Sequence, residues 1–474
     1  MNNRIFRANS ELLLFITAGA LYLLGVWYHI PYAGGHVYSD IVTVFQNRLL
    51  YHAFSVQNLP LINNFVEYLP ITSYFMYFMG ALGKFVPLSL PPDLMGDYYR
   101  YTAVLLVIPT FLTITELFKI CDILGIKAKH RRTLLYYIAT PSFVFMLLLN
   151  WYIIGVFFMV FGLRKFLQGS RWISGVLLGL SAASNLVTAV PALGMFFFDG
   201  SGLKSRVRFV AGIGIAIVLV YLPLVAINSF PHDYLNSNQE LLRFPFVFGN
   251  TNFITNFVGY QQNWYIEGSW ELAFFNNLDP IRHVILPVLF VSFSVLILSK
   301  RYRIVFVHNA SAVRQDSWSR RHFQLRIFSI RFRLRGQVQT PRDRASLIVT
   351  SSWLFMFAFL FSTYVFTPQM NMILLPFFVI APIAKRYWEF LAFDIVNSLV
   401  ILYGFSQPLL AFGIQFPIPA QFGPIYVSPV QALAVLRSFW VGKFLIYDGL
   451  IKMRKFPEKE LVSETTMPSP PAVT

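Results

Sequence analysis

The chain has 474 residues, of which 56% are hydrophobic, 18% are aromatic and only 12% are charged. A soluble globular protein of this length needs more charged residues to cover its surface, so the composition excludes that class and indicates a polytopic membrane protein. The formal net charge of +17 is explained by Lys and Arg in cytoplasmic loops and by attraction to anionic headgroups. The single cysteine, Cys121, excludes an internal disulfide.

Apolar runs along the chain predict a bundle of transmembrane helices. Several runs are shorter than the ~20 residues that a straight perpendicular helix needs. The run 172–198 is too long for one ordinary span and is interrupted by SAASN (residues 181–185) and by Pro191. It therefore predicts two shortened helices, a broken hairpin of the kind tolerated where irregular backbone lines a cavity. The other predicted spans are residues 11–28, 101–120, 134–150, 153–167, 207–227, 283–299, 346–366, 371–384, 388–404 and 431–450.

Clusters of Lys and Arg predict the orientation of these spans, because positive loops stay on the cytoplasmic side. About 12 crossings (11–13) place every cluster inside, provided that residues 70–88 are re-entrant or interfacial. The sequence thus predicts an all-α transmembrane bundle in which two long loops with interfacial helices, 29–100 and 228–282, lie on the external or lumenal face. The clusters are residues 1–7, 127–132, 164–171, 203–208, 300–344, 385–386 and 452–455.

The first external loop supplies Asp40 and Glu67, which are the only carboxylates of the hydrophilic stretch that follows the first span. A carboxylate on the wet side of a span can serve as a base for a sugar hydroxyl or can hold a cationic partner. As an alternative, Ser39 or Asp40 caps a helix that runs through Leu50, and capping is compatible with catalysis. The histidines of this loop lack metal-ligand spacing, so no metal site is predicted, although a divalent cofactor stays open.

The second external loop contains YQQNWYIEGSWELAFFNNLD (residues 260–279), which is rich in aromatic, carboxamide and acidic residues. Aromatic rings stack on the apolar faces of sugars, while amides and carboxylates bind the hydroxyl groups. We therefore expect substrate binding by Trp264, Tyr265, Glu267 and Trp270. The alternative is an interfacial belt in which the aromatic residues anchor the loop at headgroup depth.

Two arginines, Arg243 and Arg282, are the only Lys or Arg residues between 228 and 282. An arginine binds a phosphate with strong charge-assisted hydrogen bonds. Both are therefore candidates for the phosphate of a donor substrate.

The stretch 300–344 holds 12 of the 38 Lys and Arg residues of the chain. Within it, FQLRIFSIRFRLRG (residues 323–336) alternates apolar and cationic residues, which favours a cytoplasmic amphipathic segment on anionic lipid over a nucleic-acid site. Residues 456–474 are typical of a disordered tail. The chain is therefore predicted to form a single transmembrane domain over residues 1–455, in a cell membrane or, in a eukaryote, the endoplasmic reticulum membrane.

Three segments resemble motifs of one enzyme class. YSDIVTVF followed by FVEYLPITSYFMYFMGAL is similar to the DI-x-FEYPP-L-T pattern of the multispanning mannosyltransferases that use polyprenol-phosphate sugars, within the GT-C glycosyltransferases. LLGLSAASNLVTAVPAL resembles the Gly-Leu-Ala…Lys…Pro helix pair of that class, and FTPQMNMILLPFF resembles its Ser-Pro-Gln…Pro element. The order and approximate spacing of these motifs agree over most of the chain.

The resemblance implies a GT-C-like bundle with Asp40 as the catalytic base and Glu67 as a second acid. Gln369, together with its neighbours in TPQ, would lie close to the lipid-linked donor. Two departures are visible. Asn185 stands where the family often has a lysine, and a single YSD, which contains Tyr38, replaces an acidic pair. Tyr38 is therefore a further candidate for substrate or donor binding.

The implied reaction transfers a hexose such as mannose from a polyprenyl-phosphate donor to a lipid-linked glycan, glycolipid or protein on the external or lumenal face. The expected partners are donor, acceptor and membrane lipids, with no nucleic acid. The alternative is a transporter or lipid flippase, for which paired intramembrane ions and inverted repeats are typical. The acids Glu116 and Asp394 are instead expected to pair with nearby cations, Lys119 for the first and Lys385 or Arg386 for the second.

Overall fold

A computed structural model shows a bundle dominated by helices. It describes residues 2–30, 39–47, 68–90, 93–126, 134, 137–199, 202–226, 284–306, 323–325, 330–334, 340–363, 366–380, 387–404, 420–422, 425–427 and 429–451.

Nine described helices precede residue 227. They are α1 (Asn2–His29), α2 (Asp40–Asn47), α3 (Pro70–Phe85), α4 (Leu94–Ile123), α5 (Pro141–Met146), α6 (Tyr152–Leu167), α7 (Arg171–Ser184), α8 (Pro191–Phe198) and α9 (Leu203–Ala226). Five more follow in the described C-terminal part. They are α10 (Leu286–Arg301), α11 (Pro341–Ser362), α12 (Asn371–Ile380), α13 (Tyr387–Gly404) and α14 (Pro429–Lys443), which continues as a π-helix over Phe444–Ile451.

Two small antiparallel sheets accompany the helices in the described part of the chain. The first has the strand order β1-β3-β2, with β1 (Tyr302–Phe306), β2 (Phe323–Leu325) and β3 (Ile330–Leu334). The second pairs β4 (Ala420–Phe422) with β5 (Ile425–Val427). The first sheet lies in the basic stretch 300–344, where apolar and cationic residues alternate with the period of two that a β-strand requires.

Four of the described helices are long and apolar enough to cross a membrane: Glu11–His29, Leu94–Ile123, Leu203–Ala226 and Pro341–Ser362. Three of these, as well as α10, expose large aliphatic side chains along their length, which suits contact with lipid rather than with water. These helices are consistent with a membrane protein. The number of about 12 crossings stays a prediction.

The predicted break in residues 172–198 is confirmed. Helix α7 ends at Ser184, and Asn185 then caps a short 3-10 helix (Leu186–Ala189) by accepting a hydrogen bond from Val187 N at 2.9 Å. After α8 the chain is back beside the start of α7, because Arg171 Nη2 pairs with Asp199 Oδ1 at 2.6 Å. The segment is therefore a hairpin of shortened helices.

Buried ion pairs bring three arginines together at one end of the bundle, which we term the basic end. Glu116 of α4 pairs with Arg164 of α6 and, as predicted, with Lys119 at 2.9 Å. Asp199 pairs with Arg171 and with Arg344 of α11, the latter at 3.1 Å. The C-terminal ends of α4, α6 and α8 and the N-terminal ends of α7 and α11 therefore lie together, as the charge clusters indicate.

Helix α3 contacts the opposite end of the bundle at both of its own ends. Near its start, Thr72 Oγ1 donates to the carbonyl of Ser184, the last residue of α7, at 3.0 Å. Just after its end, Leu88 N donates to Asp97 Oδ2, near the start of α4, at 3.0 Å. Both partners lie at helix ends remote from the basic end, so the two ends of α3 lie on the same side of the bundle. This agrees with a re-entrant or interfacial placement of residues 70–88.

This arrangement predicts that Leu90 and Gly202 face opposite sides of the membrane. Leu90 is 94% exposed beside the start of α4, whereas Gly202 is exposed at the basic end. In a Cys121→Ser background, an impermeant thiol reagent should label Leu90→Cys on intact cells and Gly202→Cys only after permeabilisation. Labelling of both positions from one side would contradict the topology.

Helices α7 and α9 approach closely because glycines line their contact. A Cβ atom at Gly175 would lie 2.1 Å from the carbonyl oxygen of Phe209, and one at Gly212 would lie 2.6 Å from that of Trp172. Small residues permit such backbone approach between membrane helices, where packing drives association.

We predict that Gly212→Ala destabilises the protein by about 1–3 kcal/mol, because the added methyl group overpacks the contact. Gly214→Ala is the matched control two residues away, since a Cβ there meets no atom within 4 Å. Thermal unfolding in detergent should show a lower Tm for Gly212→Ala alone. Equal Tm values for the two variants would refute the close packing of α7 on α9.

Candidate functional site

Asp40 is the first residue of α2 and is largely buried, with 8% of its surface exposed. The preceding residue is fixed from outside the helix, because the Ser39 hydroxyl donates to the carbonyls of Leu148 at 3.0 Å and Leu149 at 3.4 Å. An acid in the first turn also suits the positive end of the helix dipole. The start of α2, and with it Asp40, is therefore held against the turn that follows α5.

Two side chains from distant parts of the chain converge on the Asp40 carboxylate. Gln369 Nε2 donates to Oδ2 at 3.1 Å across 329 residues of sequence, and the Tyr68 hydroxyl donates to the same oxygen at 3.2 Å. Helix capping alone would need contacts only with the first backbone N–H groups of α2. Capping therefore does not account for the surroundings of Asp40.

Aromatic residues form the wall beside this carboxylate. The Tyr68 ring packs edge-on against the ring of Trp151, with centroids 4.7 Å apart and planes at 74°. Trp151 is almost fully buried and directly precedes α6. The packed indole fixes the tyrosine ring, so that its hydroxyl group points to Asp40.

Tyr152 connects the three segments that carry the motif resemblance. Its side chain lies near those of Thr367, Asn185 and Asp40, without a hydrogen bond to the Thr367 hydroxyl within the described part of the chain. Asn185 lies at the break after α7, and Thr367 directly precedes the 3-10 turn (Pro368–Met370) that carries Gln369. The three motifs, which are far apart in sequence, thus meet at one point of the described structure.

Of the predicted site residues, the structure describes Asp40 and Gln369 and places them in direct contact. The other predicted residues lie outside the described residues: Tyr38, Glu67, Arg243, Trp264, Tyr265, Glu267, Trp270 and Arg282. Their roles stay predictions. Within the described part of the chain, no group of three or more His, Cys, Asp or Glu side chains is arranged to hold a metal ion.

The residues that surround the carboxylate were not among those predicted from the sequence. Tyr68 follows Glu67 directly within the first motif, so its place in FVEY was an available signal. Trp151 and Tyr152 carry no such signal, because a WY pair between two apolar runs is typical of any interfacial position.

The expectation for Asp394 is wrong. This carboxylate is fully buried and accepts a hydrogen bond from Ser142 N at 2.8 Å, rather than reaching a cation at the end of its helix. Arg437 of α14 is also fully buried, and its guanidinium lies 4.1 Å from the ring centre of Phe366. The cause is tertiary: α13 packs between neighbouring helices whose polar groups are remote in sequence.

Comparison with known proteins finds no family model and no curated protein that matches this sequence. The function is therefore inferred from the residues around Asp40 and from the motif resemblance.

Proposed function

We propose that this protein is a membrane glycosyltransferase. It takes a hexose such as mannose from a polyprenyl-phosphate donor and transfers it to a lipid-linked glycan, glycolipid or protein acceptor on the external or lumenal face. The hydrogen bond between Gln369 and Asp40 is the observation that supports this proposal most, because it joins the two motif residues to which the resemblance assigns adjacent roles. The class itself is inferred by analogy.

In the proposed reaction, Asp40 removes the proton of the acceptor hydroxyl while the hydroxyl oxygen attacks the anomeric carbon of the donor. The bond between that carbon and the phosphate oxygen breaks, and the lipid phosphate leaves with the electron pair. Asp40 then releases its proton to water. Gln369 and Tyr68 hold the carboxylate in one orientation, which favours a productive geometry. Arg243 and Arg282 are the candidates for the charge of the leaving phosphate.

The depth of the site suits a lipid-linked donor. Helix α7 has 14 residues and α6 has 16, which corresponds to lengths of about 21 and 24 Å at 1.5 Å per residue. Both helices extend between the basic end and the site and are shorter than a hydrocarbon core of about 30 Å. The break at Asn185 and the start of α6 therefore lie below the far membrane surface, within reach of a phosphate carried by a membrane lipid.

We predict that Asp40→Asn abolishes transfer, with a loss of about 10²-fold or more, because the amide keeps the shape of the side chain but is no base. Asp93→Asn is the matched control, since Asp93 caps α4 by accepting from Gly96 N at 3.1 Å and lies outside the site. The assay incubates purified protein with a labelled polyprenyl-phosphate hexose and a membrane extract and follows the label. Asp40→Asn activity within a few-fold of wild type would show that the residue is structural.

The alternative function, transport or lipid flipping, has one observation in its favour. Asp394 and Arg437 are ionisable residues buried completely within the bundle, and such residues often mark substrate pathways in transporters. The same assay separates the two functions when it is performed in sealed vesicles. A glycosyltransferase moves the label to a new molecule, whereas a flippase moves the intact labelled donor across the bilayer.

A further inference from the structure

A buried polar network supports the segments that carry Asp40 and Gln369. At its centre is Asp394 of α13, whose Oδ2 accepts from Ser142 N at 2.8 Å and whose Oδ1 accepts from the Ser142 hydroxyl and from Asn371 Nδ2. Asn371 Nδ2 also donates to Ser142 Oγ at 3.2 Å. One carboxylate thus joins three elements, α5, α12 and α13.

The two helices that Asp394 connects to α13, namely α5 and α12, lead to the two partners of the Asp40–Gln369 hydrogen bond. Ser142 belongs to α5, and the turn after α5 supplies the carbonyl of Leu148 that accepts the Ser39 hydroxyl beside Asp40. Asn371 begins α12, two residues after Gln369. Asp394 therefore helps to fix the positions of both Asp40 and Gln369, through α5 for the first and through α12 for the second.

Asn397 lies one turn further along α13, on the same face of the helix as Asp394. Its Nδ2 donates to the carbonyl of Pro368, the residue before Gln369, at 2.8 Å. Arg437 Nη1 donates to Asn397 Oδ1 at 3.2 Å, which fixes the orientation of that amide. The Arg437 guanidinium also covers the ring of Phe366.

The segment 366–371 is thereby held on both sides of Gln369. A 3-10 turn of three residues has weak internal hydrogen bonding and does not fix its own position. Burying a carboxylate, an amide and a guanidinium in a membrane bundle is unfavourable unless their hydrogen bonds are made. Apolar residues at these positions would stabilise the bundle as well or better. The polar network therefore indicates that the segment carrying Gln369 has to be held in one position.

We propose that Asp394 and Asn397 are positioning residues that hold Gln369 against Asp40, so that the carboxylate keeps the orientation needed for proton removal. This inference rests on the proposed function, because it assigns the network to the same transfer reaction. Neither residue touches the reacting atoms. Asn397 acts through the carbonyl of Pro368, and Asp394 acts through Ser142 and Asn371.

The test uses Asn397→Asp in the full-length protein. This change keeps the size of the side chain, and the new carboxylate can pair with Arg437. It removes the N–H group that donates to the Pro368 carbonyl and places an oxygen atom against that carbonyl instead. Asn397→Ala is the second variant, which lacks both donor and charge. Ser398→Ala is the control on the next residue of α13, whose buried hydroxyl makes no hydrogen bond within the described part of the chain.

Three quantities are measured for each variant: kcat, the KM for the donor and the rate of hydrogen exchange. Kinetics with the labelled polyprenyl-phosphate hexose should show kcat lowered by about 10- to 100-fold for both Asn397 variants, since small displacements of reacting groups have effects of that size. The KM for the donor should change by less than about threefold, because Arg243 and Arg282, the candidates for the donor phosphate, are not substituted. Hydrogen exchange of the peptide covering residues 366–371 should accelerate about tenfold or more, and Ser398→Ala should match the wild type in every measurement.

Wild-type values of kcat and exchange in both Asn397 variants would overturn the positioning role, as would a raised KM with unchanged kcat. If the wild-type protein transfers no sugar, the proposed function fails instead. The exchange rates then still decide whether Asn397 holds the segment, because that measurement needs no substrate.

Discussion

The hydrogen bond between Gln369 and Asp40 is the contact on which the rest of the site depends. It closes a loop of 329 residues and joins the first short helix after the N-terminal span to the turn before α12. Because both residues sit on short elements rather than in long helices, their meeting has to be enforced by neighbours. Ser39, Tyr68 and the aromatic wall fix one side, while the polar network of α13 fixes the other.

This design follows from a constraint of the bilayer. Irregular backbone at membrane depth is tolerated only where protein or a cavity surrounds it, because its polar groups need partners. The break between α7 and α8 meets this condition through Asn185, which caps the following turn, and through Thr72, which donates to the carbonyl of Ser184. In the proposed function, the shortened helices leave room for a polar site below the membrane surface. The basic end is held separately by buried ion pairs.

The sequence predicts much of this framework but only part of the site. Apolar runs and charge clusters indicate the helices and their orientation, and SAASN with Pro191 marks the break, because these signals are local. Asp40 and Gln369 were accessible through motifs. The environment of Asp394 was not, since its partners Ser142 and Asn371 are brought to it by packing alone. The strands of residues 302–334 show the same limit: alternation was visible, but pairing depends on contacts across the chain.

The most direct test of this account measures whether Asp40 and Gln369 meet in the membrane. In a Cys121→Ser background, Asp40→Cys and Gln369→Cys are combined, treated in native membranes with a short reagent that links two thiols, and analysed by mass spectrometry of the joined peptides. The pair Asp93→Cys and Gln369→Cys serves as the control, since Asp93 caps α4 away from the site. The account predicts efficient linkage of positions 40 and 369 and none in the control. Absence of linkage at 40 and 369, with both thiols shown to react, would contradict it.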